Sequence, residues 1–307
     1  MAKLLITGAG GMLGVSLLLE ALAAGHQVIA VDHGHPVYHQ GVETVVADLA
    51  APGAAQAVLS AARPDWVIHC AAATSVDGCE ADPAIAFRLN RDMAGQVASA
   101  ARAVGARLAH ISTDAVFDGE RGGYTEEDEP HPINVYGKSK REGELAVVAE
   151  DARALVVRTN IYGWNAQAKQ SLAEWFLCRL EAGERCPGFA DVWFTPILVN
   201  DLAPLLLKML DAGLTGIYHV GGGECLSKYE FGVRLAEVFG IDANLIEPVE
   251  VGAMGLHAKR AGRLCLDGSK IEQALRVRLP AAADGLERFA RLRREGYPPR
   301  IRALLGA

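Results

Sequence analysis

A glycine-rich turn near the start of the chain restricts its fold more than any other feature. Residues 3–7 (KLLIT) form a short apolar run, and G-A-G-G-M-L-G (8–14) follows directly. Residues 12–24 have the apolar spacing of a helix, and residues 27–32 (QVIAVD) predict a second strand. A strand, a turn of this kind and a helix in that order predict the first unit of a doubly wound α/β sheet.

The rest of the first half continues the alternation of strands and helices. Further strands are predicted at 43–49, 65–72, 107–113 and 154–163, and helices at 53–62, 83–104 and 135–149. Strands that are apolar along their whole length are typical of a parallel sheet covered on both faces. The pattern therefore predicts an α/β fold with a Rossmann-type doubly wound parallel sheet.

The second half is less regular and predicts a smaller C-terminal α/β substrate domain. Helices are expected at 170–182, 198–213 and 228–240, and one more sheet strand at 216–222. We expect the two domains to be interleaved. The Rossmann domain would comprise 1–162 and 195–222, and the substrate domain 163–194 and 223–307.

Composition narrows the classes of partner. The 307 residues carry a formal net charge of -7, which disfavours nucleic acid and anionic lipid as partners. No apolar run reaches the length of a membrane span, and the first strand begins too early for a signal peptide. The six cysteines form no CxxC pair, so we expect reduced thiols in a cytoplasmic protein.

The glycine-rich turn also predicts a binding site for a dinucleotide. Gly8 permits the tight turn, Gly11 lets the backbone approach a pyrophosphate, and Gly14 lets helix and strand pack closely. The helix that begins at Met12 and Leu13 offers free N–H groups and the positive end of its dipole to phosphates.

Asp32 ends the second strand, eighteen residues after Gly14. A carboxylate there can accept both adenosine-ribose hydroxyls and would repel a 2′-phosphate, so NAD(H) is favoured and NADP(H) remains possible. His33, His35 and His39 follow in a loop without carboxylate or cysteine companions at fixed spacing. They predict a solvated loop and no metal site.

A second constellation follows the strand at 107–113. Tyr136 and Lys140 are four residues apart in N-V-Y-G-K-S-K and share one face of a predicted helix. A phenol with an ordinary pKa of about 10 needs a nearby cation to exchange protons near neutral pH. A hydroxyl of Ser112 or Thr113 at the strand end could polarise a carbonyl oxygen. This set predicts proton transfer to or from a ketone or alcohol.

The stretch I-S-T-D-A-V-F-D-G-E-R-G-G-Y-T-E-E-D-E-P-H-P-I-N-V-Y-G-K-S-K-R-E-G-E (111–144) closely resembles the dTDP-4-dehydrorhamnose reductase family. H-C-A-A-A-T-S-V-D (69–77) resembles the family segment that lines cofactor and sugar. The family belongs to the extended short-chain dehydrogenase/reductases and reduces 4-keto nucleotide sugars with NAD(P)H. The resemblance covers nearly the whole chain, more loosely after about residue 223.

This resemblance implies a role for each matching residue. Thr113, Tyr136 and Lys140 match the catalytic residues, and Asp114 matches an Asp beside the substrate. The positions where the family's backbone passes the dinucleotide are matched by Ala71, Ala72 and Ala73, and those beside the adenine by Asp48 and Leu49. Substrate-pocket positions are matched by Thr74 and Val76. Asp114-Ala115 lacks the acid of the Thr-Asp-Glu set of sugar 4,6-dehydratases, which argues against a dehydratase. A homodimer is the family-level expectation.

Two segments depart from the family pattern. The family reads Arg-Thr-Ser-Trp-Val-Tyr where this chain reads R-T-N-I-Y-G-W-N (158–165), so the aromatic near the sugar is displaced. The usual Arg-Pro-x-Asn segment is replaced by K-R-A-G-R (259–263). Arg260 there could face the substrate diphosphate, or the segment could be a solvated loop.

Three functions remain open on these residues. The first is an NAD(P)H-dependent reductase that acts on the 4-keto group of a deoxy-sugar nucleotide. The second is a nucleotide-sugar epimerase that keeps its NAD. The third is a non-catalytic regulatory subunit, because the motifs also resemble the regulatory β subunit of methionine adenosyltransferase.

Overall fold

A parallel seven-stranded sheet forms the centre of the molecule. The structure is a computed structural model and describes residues 1–306. The strands are β1 (Lys3–Thr7), β2 (Gln27–Asp32), β3 (Val42–Val46), β4 (Trp66–His69), β5 (Arg107–Thr113), β6 (Leu155–Thr159), β7 (Ile161–Tyr162), β8 (Cys186–Phe189), β9 (Trp193–Phe194), β10 (Ile197–Leu198), β11 (Gly216–His219), β12 (Leu226–Ser227) and β13 (Ile246–Val249).

The order of the central strands is β11-β6-β5-β4-β1-β2-β3, with parallel pairing throughout. Strands β1 to β3 are added towards one edge of the sheet, and β4, β5, β6 and β11 towards the other. A crevice opens at the carboxyl ends of the strands at such a switch point, here between β1 and β4. The predicted Rossmann-type doubly wound α/β fold is therefore confirmed.

Helices cover both faces of this sheet. They are α1 (Met12–Ala23), α2 (Ala54–Ala62), α3 (Val76–Ala81), α4 (Pro83–Phe87), α5 (Met93–Ala103), α6 (Val135–Glu150), α7 (Leu172–Glu181), α8 (Val199–Asp211), α9 (Lys228–Phe239), α10 (Ser269–Leu275), α11 (Ala282–Arg294) and α12 (Tyr297–Ala303). The α1 and α8 side chains pack on one face of the sheet and those of α2 and α5 on the other. Leu4, Leu5 and Ile6 of β1 are fully buried between the two layers.

The later part of the chain adds three small two-stranded sheets. They pair β10 with β7, β12 with β9, and β13 with β8. The helix α8 packs on the central sheet and β11 pairs with β6 at its edge, which supports the predicted return of 195–222 to the Rossmann domain. The interleaved domain boundaries themselves stay a prediction.

The long helix predicted at 83–104 is interrupted by a π-helical turn. The segment Arg88–Asp92 is π-helical between α4 and α5. Within it Asn90 is fully buried, and a Cβ built on Gly143 of α6 would lie 2.1 Å from the Asn90 carbonyl oxygen. The π turn is therefore packed directly against α6, which carries Tyr136 and Lys140.

The expectation that all six cysteines are reduced is wrong for one pair. Cys225 and Cys265 form a disulfide with a Cα–Cα distance of 5.6 Å, inside the usual range for such bonds. The two residues are 40 positions apart, and no short cysteine motif marks them. The other four cysteines are free.

A search of the helices within residues 1–306 finds none with both the length and the apolar character needed to cross a membrane.

Candidate active site

A cleft of about 790 Å³ opens at the carboxyl ends of the central strands. It brings together sixteen of the seventeen predicted site residues: Gly8, Gly11, Met12, Leu13, Asp32, Asp48, Leu49, Ala71, Ala72, Thr74, Val76, Thr113, Asp114, Tyr136, Lys140 and Arg260. Ala73 is the exception. The residues predicted to bind the cofactor, to carry out proton transfer and to bind the substrate therefore line one cavity.

The glycine-rich turn has the shape that a dinucleotide pyrophosphate needs. Gly8 has a φ of 63°, in the left-handed region that favours glycine. A Cβ on Gly14 would lie 2.3 Å from the Gly8 carbonyl oxygen, so only glycine lets α1 start this close to β1. Gly11 is the N-cap of α1 and supplies no side-chain cap, which leaves the first N–H groups of the helix free for phosphate. The turn therefore fits the cofactor.

Asp32 lies at the opposite side of this turn. Its Oδ1 accepts hydrogen bonds from the backbone N–H groups of Gly34 and His35, at 3.1 and 2.8 Å. Its Oδ2 accepts one from Gly10 at 3.1 Å. The carboxylate thus joins the phosphate turn to the loop after β2, and it lines the cleft where an adenosine ribose would lie.

Tyr136 and Lys140 project from the first turns of α6. Asn134 caps that helix, because its Oδ1 accepts the Gly137 N–H at 2.8 Å. Tyr136 lines the cleft together with Thr113 at the end of β5, and burial raises the pKa of Tyr136 to about 12. Tyr136 is therefore fully protonated near neutral pH, as a proton donor must be.

The Lys140 ammonium is held beneath the cleft. It donates to the Ile111 carbonyl oxygen at 2.7 Å, and burial lowers its pKa to about 8 while the Glu144 carboxylate acts in the opposite direction. Glu144 itself forms a buried ion pair with Arg158 at 2.8 Å and accepts the Ser112 hydroxyl at 2.6 Å. The Lys140 charge was expected to lower the pKa of Tyr136, but burial raises that pKa instead.

 The Lys140 ammonium donates to the Ile111 backbone carbonyl oxygen, and Tyr136 remains a neutral phenol.

Thr113 and Asp114 form the floor of the cleft beside Tyr136. The Thr113 hydroxyl donates to Asp114 Oδ1 at 3.0 Å and accepts the Ala115 N–H at 3.2 Å. Asp114 is buried, and its Oδ2 accepts a hydrogen bond from Asn160 Nδ2 at 2.7 Å. Burial raises the pKa of Asp114 to about 6. Thr113 can reach a substrate carbonyl only by turning its hydroxyl away from Asp114.

The predicted substrate residues lie on the rim of the same cleft. Thr74 is exposed, and its hydroxyl accepts a hydrogen bond from Lys169 Nζ at 2.6 Å. Val76 begins α3. Arg260 is already paired, because it donates to Asp77 Oδ2 at 2.6 Å and to the Ala258 carbonyl oxygen at 2.9 Å. Its charge is therefore balanced before any substrate binds.

Ala73 lies behind the cleft wall and does not line the cleft. Its N–H donates to Asn90 Oδ1 at 2.8 Å, and its carbonyl oxygen accepts from Asn90 Nδ2 at 3.0 Å. The same Asn90 amide group also donates to the Ser139 hydroxyl at 2.9 Å. Asn90 thus joins the segment after β4 to the helix that carries Tyr136. Ala73 is not part of the cleft lining, and its assignment to the cofactor stays a prediction.

The displaced aromatic of the 158–165 segment does not reach the cleft. Trp164 is buried, stacks on Phe289 with ring centroids 4.0 Å apart, and donates from Nε1 to the Phe289 carbonyl oxygen. Trp193 of β9 lines the cleft instead. The aromatic surface available to a substrate therefore comes from a different part of the chain.

Sequence reasoning missed several polar or aromatic residues that line the cleft, including these five: Asn160, Gln167, Lys169, Trp193 and Lys228. Four of them lie in loops or very short strands, where periodicity carries no signal. Lys228 had a usable signal, because S-K-Y-E (227–230) is a capping box that places Lys228 in the first turn of a helix.

A second cavity of about 580 Å³ lies on the other side of the segment 261–266. Ala261 and Leu264 face the cleft, whereas Arg263 and Cys265 face the second cavity. Trp193 borders both. The Cys225–Cys265 disulfide thus links the segment 261–266, which separates the two cavities, to the start of β12.

Comparison with known proteins places this geometry in a family. Residues 2–294 match the family model described as RmlD substrate binding domain. The chain is 35% identical to "Probable low-salt glycan biosynthesis reductase Agl14" of Haloferax volcanii, over 92% of this chain and 95% of that protein. It is 31% identical to methionine adenosyltransferase 2 subunit beta of Rattus norvegicus, over 88% of this chain and 81% of that protein.

A solved structure shares the whole architecture. The dTDP-4-dehydrorhamnose reductase of Bacillus anthracis, crystallised with NADP, superposes with a TM-score of 0.86 at 30% identity. The match covers 94% of this chain and 98% of that one. The chain therefore belongs to the RmlD substrate-binding domain family and is an NAD(P)-dependent oxidoreductase of the extended short-chain dehydrogenase/reductase type.

Proposed function

We propose that this protein reduces the 4-keto group of a deoxy-sugar nucleotide. The observation that carries the proposal is the meeting of Thr113, Tyr136 and Lys140 in the same cleft as the glycine-rich turn. A reduced nicotinamide bound there supplies a hydride. The side chains around it position the ketone and supply the proton.

Each of the three residues has a role that its surroundings support. Tyr136 is a protonated phenol in the same cleft as Thr113, so both hydroxyls can bind one ketone oxygen. Tyr136 then donates its proton to the alkoxide as it forms. Lys140 supplies a positive charge one helical turn away, which favours the phenolate left behind, and its remaining N–H groups can hold the nicotinamide ribose.

The cofactor end of the cleft favours NADH over NADPH. Asp32 places a carboxylate at the end of β2, where it would accept ribose hydroxyls and repel a 2′-phosphate. The loop that follows holds Gly34 and His35 against that carboxylate through backbone N–H groups. Neither residue supplies the guanidinium that commonly receives a 2′-phosphate. Titration of NADH and NADPH by protein fluorescence tests this preference.

Turnover tests the function itself. The protein would be mixed with NADH and a panel of 4-keto nucleotide sugars, and the loss of reduced-nicotinamide absorbance recorded. Stoichiometric oxidation on one ketone is the expected result. Tight NADH binding without oxidation of any ketone would contradict the reductase and favour the epimerase or the regulatory subunit.

A regulatory role is the second candidate, because the chain is similar to methionine adenosyltransferase 2 subunit beta over most of its length. Under this alternative the cleft would bind a cofactor without turnover, and a partner enzyme would co-purify with the protein. Homodimer formation and a cytoplasmic location also stay predictions. Light scattering of the purified protein tests the first of these.

A further inference from the structure

Four basic side chains line the cleft: Lys140, Lys169, Lys228 and Arg260. Three of them have an acceptor. Lys140 donates to the Ile111 carbonyl oxygen, Lys169 to the Thr74 hydroxyl, and Arg260 to Asp77. Within residues 1–306, the structure gives the Lys228 ammonium neither a hydrogen-bond acceptor nor an ion pair.

The position of Lys228 is fixed by the elements around it. Ser227 pairs with Trp193 between β12 and β9, and the Lys228 N–H donates to the Val192 carbonyl oxygen at 2.9 Å. The Ser227 hydroxyl and the Glu230 carboxylate complete a capping box at the start of α9. The Lys228 side chain then extends over the Phe189 ring, with Nζ 5.7 Å from the ring centroid.

This placement is unfavourable for a cation in the free protein. Lys228 is the first residue of α9, where the helix dipole presents its positive end. Burial lowers the pKa of Lys228, while the nearby Asp114 carboxylate acts in the opposite direction and the Arg260 charge adds to the lowering. An anion bound at this point would relieve both the desolvation and the unfavourable dipole.

We propose that Lys228 binds the diphosphate of the nucleotide-sugar substrate. This inference rests on the proposed function, because the diphosphate carries the formal charges of such a substrate. Lys228 lies close enough to Asp114 for their charges to interact, and Asp114 adjoins Thr113, which would hold the ketone. Lys228 and Arg260 both line the cleft, but Arg260 is paired with Asp77, which leaves the Lys228 ammonium as the cation that can receive a phosphate.

Binding of nucleoside diphosphates tests the inference without turnover. Calorimetric titration of dTDP, UDP, GDP and CDP into the NAD⁺-loaded protein should find one that binds. Lys228→Met should weaken its binding at least tenfold, or about 1.4 kcal/mol. The corresponding nucleoside should bind wild type and variant alike, and Lys228→Arg should keep most of the diphosphate affinity.

Arg263→Met is the matched control. Arg263 is an exposed cation only a few residues from Arg260, but it faces the second cavity. This variant should bind the diphosphate like wild type. Equal binding by Lys228→Met and wild type, or no binding of any of the four diphosphates, would overturn the inference.

Stability separates a ligand-binding role from a structural one. Because the partly exposed Lys228 ammonium has no hydrogen-bond acceptor or ion pair to lose among the described residues, Lys228→Met should unfold in urea at the same or a higher denaturant concentration than wild type. A structural role would lower that midpoint and would weaken nucleoside and diphosphate binding together. If the protein reduced none of the ketones, the diphosphate titrations could still be interpreted, because they do not need turnover.

Discussion

The cofactor end and the substrate end of the cleft are built in different ways. At the cofactor end, the turn from Gly8 to Gly14 presents backbone N–H groups, and its shape depends on the absence of side chains. At the substrate end, Asp114, Trp193 and Lys228 come from three separate parts of the chain. The first end is specified by a few neighbouring residues, and the second by the tertiary fold.

The comparison explains what the sequence could predict. The turn is local, so seven consecutive residues indicate both its conformation and its ligand. Thr113, Tyr136 and Lys140 are also near one another in sequence, since β5 and α6 are adjacent elements. Trp193 and Lys228 follow Thr113 by 80 and 115 residues in the chain. Periodicity reports only local structure and cannot predict that such distant residues share one cleft.

Three contacts that the sequence did not reveal have the same physical origin. Trp164 fills the space against Phe289, which depends on how α11 packs. The Cys225–Cys265 disulfide joins residues 40 positions apart. Arg260 is paired with Asp77, from a distant part of the sequence. Each partner is set by tertiary packing and not by the local pattern.

Removal of the proton donor, where the two ends meet, should have the largest effect. Tyr136→Phe should lower kcat by about a thousandfold, since general acid catalysis contributes about 10² to 10⁴. NADH affinity should remain within a few-fold, as measured by fluorescence titration. Tyr38→Phe, an exposed tyrosine outside the cleft, serves as control. A Tyr136→Phe variant with more than a tenth of the wild-type kcat would remove Tyr136 from the chemistry.

A methyl group added to the glycine-rich turn should weaken cofactor binding and leave the substrate end of the cleft unchanged. Gly14→Ala would place a Cβ within 2.3 Å of the Gly8 carbonyl oxygen, so the turn must shift. NADH affinity should fall about a hundredfold, or about 2.7 kcal/mol. Gly252→Ala is the matched control, because a Cβ there meets nothing within 4 Å and Gly252 does not line the cleft. Equal NADH affinity for the two variants would show that the shape of the turn is not what binds the cofactor.

Loss of an aromatic ring should affect the substrate end alone. Trp193→Ala should raise KM for the ketone about tenfold, or about 1.4 kcal/mol, with NADH affinity unchanged. Trp175→Ala on α7, whose ring packs beside Phe176, controls for the loss of an indole elsewhere. If Trp193→Ala weakened NADH binding as well, the two ends of the cleft could not be treated as separate.

The smallest effect near neutral pH should appear in the pH profile. Lys140, with a pKa of about 8, is charged below that pH and neutral above it, whereas Tyr136 keeps its proton to about 12. Since the ammonium favours the phenolate, kcat/KM should halve near pH 8 and then fall about tenfold per pH unit. A Lys140→Arg variant that retains activity should lose this decline. A flat profile from pH 7 to 10 in wild type would contradict the role given to Lys140.

The π-helical turn at Arg88–Asp92 also constrains how the length of this chain can vary. A π turn holds one residue more than the α-helical turn it replaces, and each α-helical residue rotates the chain by about 100°. Deleting one residue there would give a regular helix but rotate Asn90 relative to α5, away from Ala73 or Ser139. Relatives that lack this extra residue would need another side chain to fasten the segment after β4 to α6. An insertion or deletion between β4 and β5 is therefore tolerated only outside the π turn.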